Sequence, residues 1–138
     1  MPEIFTRGLK TNSRRWSDLD LDFKAHPVTK DIVIKTDVES VKRSIRNLIL
    51  TNRYERPFHP EIDGGVTRHL FELSTLHTKH DVKNAVKVCI ANYEPRAEVI
   101  DVFVGGDLDK NGFDVTIIFR VVNTPDPVTI EIFLERLR

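Results

Sequence analysis

Apolar and polar residues alternate strictly near the beginning of the chain and again along its last third. Residues 17–23 place Leu19, Leu21 and Phe23 on one side of an extended chain and three aspartates on the other. This predicts an extended segment whose apolar underside lies along this domain or along a partner. A calcium loop is the alternative for the three carboxylates, but the glycine and distal glutamate of an EF-hand are missing.

The next part of the chain has apolar residues at helical spacing. A short strand is expected at residues 31–35, and Thr36 with Glu39 three residues later fits a capping box at a helix start. The apolar face of this helix comprises Val38, Val41, Ile45, Leu48 and Ile49. Its opposite face carries Lys42, Arg43 and Arg46, which suit acidic groups on a partner, although a solvated face is the commoner meaning of such charges.

Residues 51–65 interrupt the regular patterns with two prolines and a Gly-Gly pair, so we expect an irregular loop. Phe58 and Ile62 are expected to pack this loop onto the core. A short helix follows within residues 66–73, and a longer helix is predicted to begin at Thr78 and to end at Glu94. The apolar stripe of the longer helix comprises Val82, Ala85, Val86, Cys89 and Tyr93.

Three alternating segments, residues 100–104, 113–121 and 128–134, predict antiparallel strands after the helices. Helices followed by a meander indicate the α+β class, with two to three helices packed on a small, mainly antiparallel β-sheet and an extended N-terminal arm. We divide the chain into an arm of residues 1–25 and a single domain of residues 26–138.

Composition removes several classes of function. Lys and Arg together number 21, as do Asp and Glu, and a formal net charge of zero argues against general nucleic-acid binding. One cysteine excludes an internal disulfide framework, and no apolar run reaches the roughly 18 residues of a membrane span. The five histidines form no metal motif, and no cofactor is predicted. The first ten residues lack an apolar signal core, which favours synthesis in a reducing cytoplasm.

The joint between the last helix and the strands, Tyr93-Glu94-Pro95-Arg96, holds two opposite charges on either side of a stiff residue. Three interpretations stay open. The charges bind a neighbouring chain, or they form a corner within the monomer, or Glu94 is the general acid of a muramidase with Asp101 or Glu55 as the second carboxyl group.

The last strand is the best candidate for contact with another chain through its backbone. An exposed edge strand offers unpaired N–H and C=O groups, and a small meander has two such edges. We expect the exchange edge at Val128, Thr129, Ile130, Glu131 and Ile132. Internal pairing on both sides is the alternative.

Five segments in this order carry a family resemblance: residues 17–23, 41–49, 55–61, 70–72 and 92–96. The pattern Arg-Pro-Phe-x-Pro-Glu at residues 56–61, followed by Tyr-Glu-Pro-Arg at 93–96, is its most specific part. Together they resemble the baseplate wedge, or sheath-initiator, family of contractile-tailed phages, labelled "lysozyme-like", which is related to type VI secretion baseplate subunits. The resemblance covers roughly residues 15–135. The segment after Pro-Glu departs from the family, since it reads Ile-Asp-Gly-Gly here.

This resemblance implies a structural, non-enzymatic protein located in the tail baseplate of a virion. The implied partners are the baseplate wedge core proteins, the tail sheath protein, and tail tube or hub proteins, with six copies per baseplate and no nucleic acid or membrane. The family's contact motif would place partner binding at Glu94, Pro95 and Arg96, and we add Arg56, Pro57 and Phe58. The sheath would then assemble on the last strand by strand exchange.

Overall fold

The computed structural model describes residues 16–73, 75–107 and 111–135, and this part of the chain folds into three helices and five strands. The predicted arm residues 1–15, the turn residues 108–110 and the last three residues lie outside it. The elements are β1 Ser17–Leu19, β2 Ile34–Thr36, α1 Asp37–Leu50, α2 Thr67–Leu70, α3 Leu76–Tyr93, β3 Ala97–Asp107, β4 Gly112–Val121 and β5 Pro127–Glu135.

The three long strands form an antiparallel sheet in the order β3-β4-β5. Alternate residues of β4 are buried, and β5 buries its own alternate residues on the same face because the two strands pair in register. The buried residues of these two strands are Phe113, Val115, Ile117, Phe119, Val121, Ile130, Ile132 and Leu134.

Helices α1 and α3 cover this face of the sheet and contact each other. Their buried residues follow the predicted apolar stripes, with Val41, Ile45 and Ile49 on α1 and Val82 and Val86 on α3. Cys89 is buried in the same layer, and burial raises the pKa of its thiol to about 11. The α+β prediction, with helices packed on a small antiparallel sheet, is confirmed.

Residues 17–36, which we call the N-terminal hairpin, pair β1 antiparallel to β2 and lie against α1. Its acidic side faces the protein, since Asp20 is 4 % exposed, whereas Leu19, Leu21 and Phe23 are 51–69 % exposed. The expected apolar underside is therefore an outer side. The predicted extended segment is also shorter, because a turn at Asp20 follows β1 and the Asp20 carboxylate accepts from the N–H of Asp22. The division at residue 25 stays a prediction, although the hairpin crosses it.

Two local predictions were wrong. Thr36 is the N-cap of α1, but its side chain makes no capping hydrogen bond, so the capping box is not formed. Helix α3 begins two residues earlier than expected because Thr75, rather than Thr78, is the N-cap and accepts from the N–H of Thr78. The predicted end at Glu94 is correct: its N–H still donates to the carbonyl of Ile90.

Candidate docking site

The joint after α3 is a tight corner that hydrogen bonds and an ion pair within this chain hold in place. Glu94 has left the helical conformation, and its carbonyl accepts from the N–H of Ala97 at 3.1 Å, where β3 begins. Pro95 sits at the bend, where its missing N–H removes no helical hydrogen bond. The sequence at this point therefore ends the helix and starts the sheet within three residues.

The two charges of the corner bind each other. Arg96 Nε lies 2.6 Å from Glu94 Oε1, and Arg96 Nη2 lies 2.7 Å from Oε2, which is a bidentate pair. The Glu94 side chain is only 3 % exposed. Burial alone would raise the pKa of Glu94, but the hydrogen bonds and charge of Arg96, together with a hydrogen bond from Ser44, outweigh burial and lower that pKa. Glu94 is thus held ionised inside the protein.

Arg96 also joins the corner to three other elements. Its Nη1 lies 3.4 Å from Asp18 Oδ2 on β1 and 3.4 Å from Ser40 Oγ on α1, and Ser40 itself donates to the same Asp18 carboxylate. The carbonyl of Arg96 accepts from the N–H of Val122 at 2.9 Å. The side chain of Arg96 therefore connects the corner to the hairpin and α1, and its backbone carbonyl connects the corner to the end of β4.

Glu94, the general acid proposed for a hydrolase, lacks the property that this role needs, since a general acid requires a raised pKa. The pKa of Glu94 is lowered by its ion pair. Asp101 lies 2.8 Å from Lys83 Nζ and 3.4 Å from Lys87 Nζ, and mainly the hydrogen bond from Lys83 lowers its pKa to about 2. Glu55, the other predicted second carboxyl, accepts from the N–H of Asn52 in an exposed turn.

The loop of residues 51–66 brings the second predicted binding segment to the same side of the molecule. Tyr93 Oη donates to the carbonyl of Glu61 at 3.1 Å and so ties the loop to the end of α3. Gly64 packs against the backbone carbonyls at the end of α1, where no side chain would fit. Phe58 is 91 % exposed, so the expectation that it packs onto the core was wrong, whereas Ile62 is half-buried.

A groove of about 390 Å³ connects the two predicted segments. We call it the arginine groove, because Arg43, Arg56 and Arg96 line it together with the apolar side chains of Leu19, Leu21, Leu48 and Ile62. Arg43 and Arg96 bind acidic groups of this chain, but Arg56 makes no ion pair with any described residue. Of the predicted partner-binding residues, Arg56 and Arg96 therefore meet in one groove, while Phe58 projects into solvent beside the loop.

Strand β5 is an edge of the sheet. In the described part of the chain it pairs only with β4, and the opposite edge strand, β3, lies against α3. The predicted exchange segment, Val128 to Ile132, belongs to this edge. Ile130 and Ile132 are buried, and Thr129 and Glu131 are exposed. The segment is therefore available through its backbone rather than through its apolar side chains.

The sequence reasoning missed Asp18 and Ser40, which complete the shell around Arg96. The available signal was the row of aspartates at residues 18–22 in a chain whose first long helix carries Lys42, Arg43 and Arg46 on its polar face. Acids at every second position match such a face when the strand lies along the helix. The prediction considered only the apolar side of this segment, which was expected to lie along this domain or along a partner.

Within residues 16–73, 75–107 and 111–135, no group of three or more histidine, cysteine or acidic side chains is arranged to hold a metal ion. None of the described helices combines the length and apolarity needed to cross a bilayer. The described part of the chain is an α+β fold with a groove lined by three arginines and a sheet edge at β5.

Comparison with known proteins gives the family. The family model described as "Baseplate wedge protein gp25" matches residues 35–126. The baseplate wedge protein gp25 of Enterobacteria phage T4 is 31 % identical over 116 residues, which cover 84 % of this chain and 87 % of the relative. This chain belongs to the baseplate wedge protein gp25 family.

Solved structures agree with this family. A chain of the six-fold symmetrised cryo-EM structure of the anti-feeding prophage baseplate superposes with a TM-score of 0.70 at 25 % identity, covering 81 % of this chain and 90 % of that one. A crystal structure from Geobacter sulfurreducens, named as a candidate tail lysozyme, gives 0.64 at 25 % identity, covering 75 % and 96 %. The family predicted from sequence is confirmed, as is the placement in the tail baseplate of a virion.

Proposed function

We propose that this chain is a structural wedge subunit that binds wedge core proteins on one side and templates the first ring of the tail sheath on the other. Membership of the baseplate wedge family supports the structural role. We further propose six copies per baseplate, in keeping with the six-fold symmetrised baseplate that contains a similar chain. Contacts with tail tube or hub proteins belong to the same proposal.

The proposed binding site for the wedge core proteins is the arginine groove, with Glu94, Pro95, Arg96, Arg56, Pro57 and Phe58 around it. Glu94 and Arg96 act here by holding the groove in shape, because their charges already neutralise each other. Arg56 and the exposed ring of Phe58 are the groups left for a partner. Arg and aromatic side chains are also the residues that most often dominate binding energy at protein interfaces.

The proposed template for the sheath is the free edge of β5. The observation that carries it is that β5 pairs on one side only among the described residues, although the strand is nine residues long. An incoming strand would form main-chain hydrogen bonds along this edge. The sheath protein would thereby extend the sheet without disturbing the buried face.

Hydrogen exchange tests the template directly. The full chain is mixed with the sheath protein of the same tail, and amide protection of residues 127–135 is measured by mass spectrometry. Strand pairing predicts added protection in β5 and little change in α3, which serves as the internal control. Unchanged protection of β5 in a mixture that forms sheath would contradict the proposal.

A hydrolase is not proposed, because Glu94 is ionised, buried and bound to Arg96. The same purified protein incubated with peptidoglycan provides the check. Reproducible turnover that is abolished by Glu94→Gln would overturn this conclusion.

A further inference from the structure

A second groove, which we call the edge groove, lies between α1, the N-terminal hairpin and β5. Its volume is about 270 Å³. It is lined by the charged residues Asp20, Asp22, Lys35, Glu39, Lys42, Arg43 and Arg46, and by Thr129 and Ile130 of β5.

The edge groove reaches the backbone edge of β5. Thr129 and Ile130 are neighbours whose side chains point to opposite faces of the sheet, and one is exposed while the other is buried. A groove lined by both must run past the edge of the strand. A segment that added to β5 would therefore pass directly beside the charged residues of α1.

The edge groove is lined by four cations and three acids, so one cation has no acid of its own in the groove. Lys35 lies 3.7 Å from Asp20, Lys42 lies 2.8 Å from Glu39, and Arg43 binds Asp22. All three acids of the groove are used in these pairs. Arg46, the fourth cation, is exposed and forms no ion pair with a described residue, and its charge acts on Asp22 only from a distance.

We infer that Arg46 binds a carboxylate on the segment that adds to β5, and that this contact sets the register of the added strand. The inference rests on the strand addition proposed above and names the chemistry of the incoming segment, which is an extended chain with an Asp or Glu beside α1. A guanidinium suits this task because it binds a carboxylate with two parallel hydrogen bonds.

Register needs such a contact because main-chain hydrogen bonds alone do not define it. A slip of one residue moves every side chain to the other face of the sheet, so a carboxylate aimed at Arg46 would then point away from it. Arg46 lies on α1, whose buried face packs in the core, so its backbone position is fixed before the strand arrives. The main-chain hydrogen bonds of the added strand would supply the affinity, and its contact with Arg46 would set the alignment of that strand.

The test measures binding of the sheath protein to the full chain together with hydrogen-exchange protection of β5. Arg46→Glu should weaken binding by about tenfold or more, the loss expected for one charge-assisted hydrogen bond. Arg46→Lys should retain most of the affinity. Lys79→Glu is the matched control, because it makes the same change of charge at a position on α3 that does not line the groove.

The outcomes separate the two proposals. If β5 gains protection and Arg46→Glu binds as tightly as Lys79→Glu, strand addition stands and the role of Arg46 is wrong. If the unaltered chain shows no protection of β5 in assembled sheath, both fail. Rescue of Arg46→Glu by an acid-to-lysine change in the sheath protein would support the inference and identify the partner residue.

Discussion

The N-terminal hairpin and the three-stranded sheet carry the same alternation of apolar and polar residues, yet they bury opposite sides. In β4 and β5 the apolar side faces the helices. In the hairpin the aspartates face the protein, and Leu19, Leu21 and Phe23 face outward. The period of a pattern predicts that two faces exist, but the surface it meets decides which of them is buried.

The surfaces that the two regions meet differ in chemistry. The sheet packs against the apolar faces of α1 and α3, and this contact uses up those faces. The hairpin packs against the polar side of α1, which carries Arg43, and against the corner, which carries Arg96. Carboxylates at alternate positions match these cations, so the acidic side turns inward.

The two regions also differ in how they are stabilised. Burial of a large apolar side chain contributes about 1.5–3 kcal/mol, whereas solvent-exposed ion pairs such as that of Asp22 with Arg43 contribute little because water screens the charges. We therefore expect the hairpin to be the less stable region. Its outer apolar side, formed by Leu19, Leu21 and Phe23, is exposed and would gain stability from contact with a partner.

The largest expected difference is between two phenylalanines. Phe119→Ala in β4 should lower the free energy of unfolding by about 3–5 kcal/mol, because it opens a cavity in the core. Phe23→Ala in the hairpin should change it by less than about 0.5 kcal/mol, since its ring is exposed. Urea denaturation of both variants measures the contrast, and equal losses would show that the hairpin ring is buried in solution.

Arg96→Ala should have the next largest effect. It leaves the buried Glu94 carboxylate without its partner, and we expect a loss of about 2–3 kcal/mol, below the full cost for a deeply buried pair because Arg96 itself is partly exposed. Arg53→Ala, the same change in an exposed loop, is the control. A melting temperature equal to that of the control would mean that the corner does not stabilise the monomer.

Lowering the pH should weaken the ion pairs that join Asp101 on β3 to Lys83 and Lys87 on α3, and it should do so over a defined pH range. The pKa of Asp101 falls from 3.8 to about 2 in the folded protein, so its contribution is present above pH 3.8 and is lost as the pH falls through 2. Asp101→Asn should therefore be less stable than the unaltered chain at pH 6, and this difference should shrink toward pH 2. Urea denaturation at several pH values measures it, and Lys83→Met should reduce the pH dependence, since Lys87 and the N–H of Val102 remain bonded to Asp101.

The sequence was enough to predict the α+β fold class, the main helices, the strands and the end of α3 at Glu94. Each of these features follows from a periodicity or a proline within a few residues. The family followed from short motifs such as Arg56-Pro57-Phe58. The orientation of residues 17–23 was not predictable from their own pattern, because it depends on cations that lie far away in sequence, Arg43 and Arg96. For the same reason the meeting of Arg56 and Arg96 in one groove needed the folded chain.

A small effect on stability is expected to accompany a specific effect on binding. Leu21→Ser should change the free energy of unfolding by less than about 1 kcal/mol, because the side chain is half exposed, yet it removes an apolar wall of the arginine groove. Val28→Ser is the matched control, since Val28 is exposed in the same hairpin but does not line the groove. Titration of wedge core proteins against both variants should show binding weakened about fivefold to tenfold for Leu21→Ser alone, as expected when an apolar side chain is no longer buried against a partner. Equal affinities would mean that the outward side of the hairpin is not part of the docking surface, and its inverted orientation would then serve the ion pairs alone.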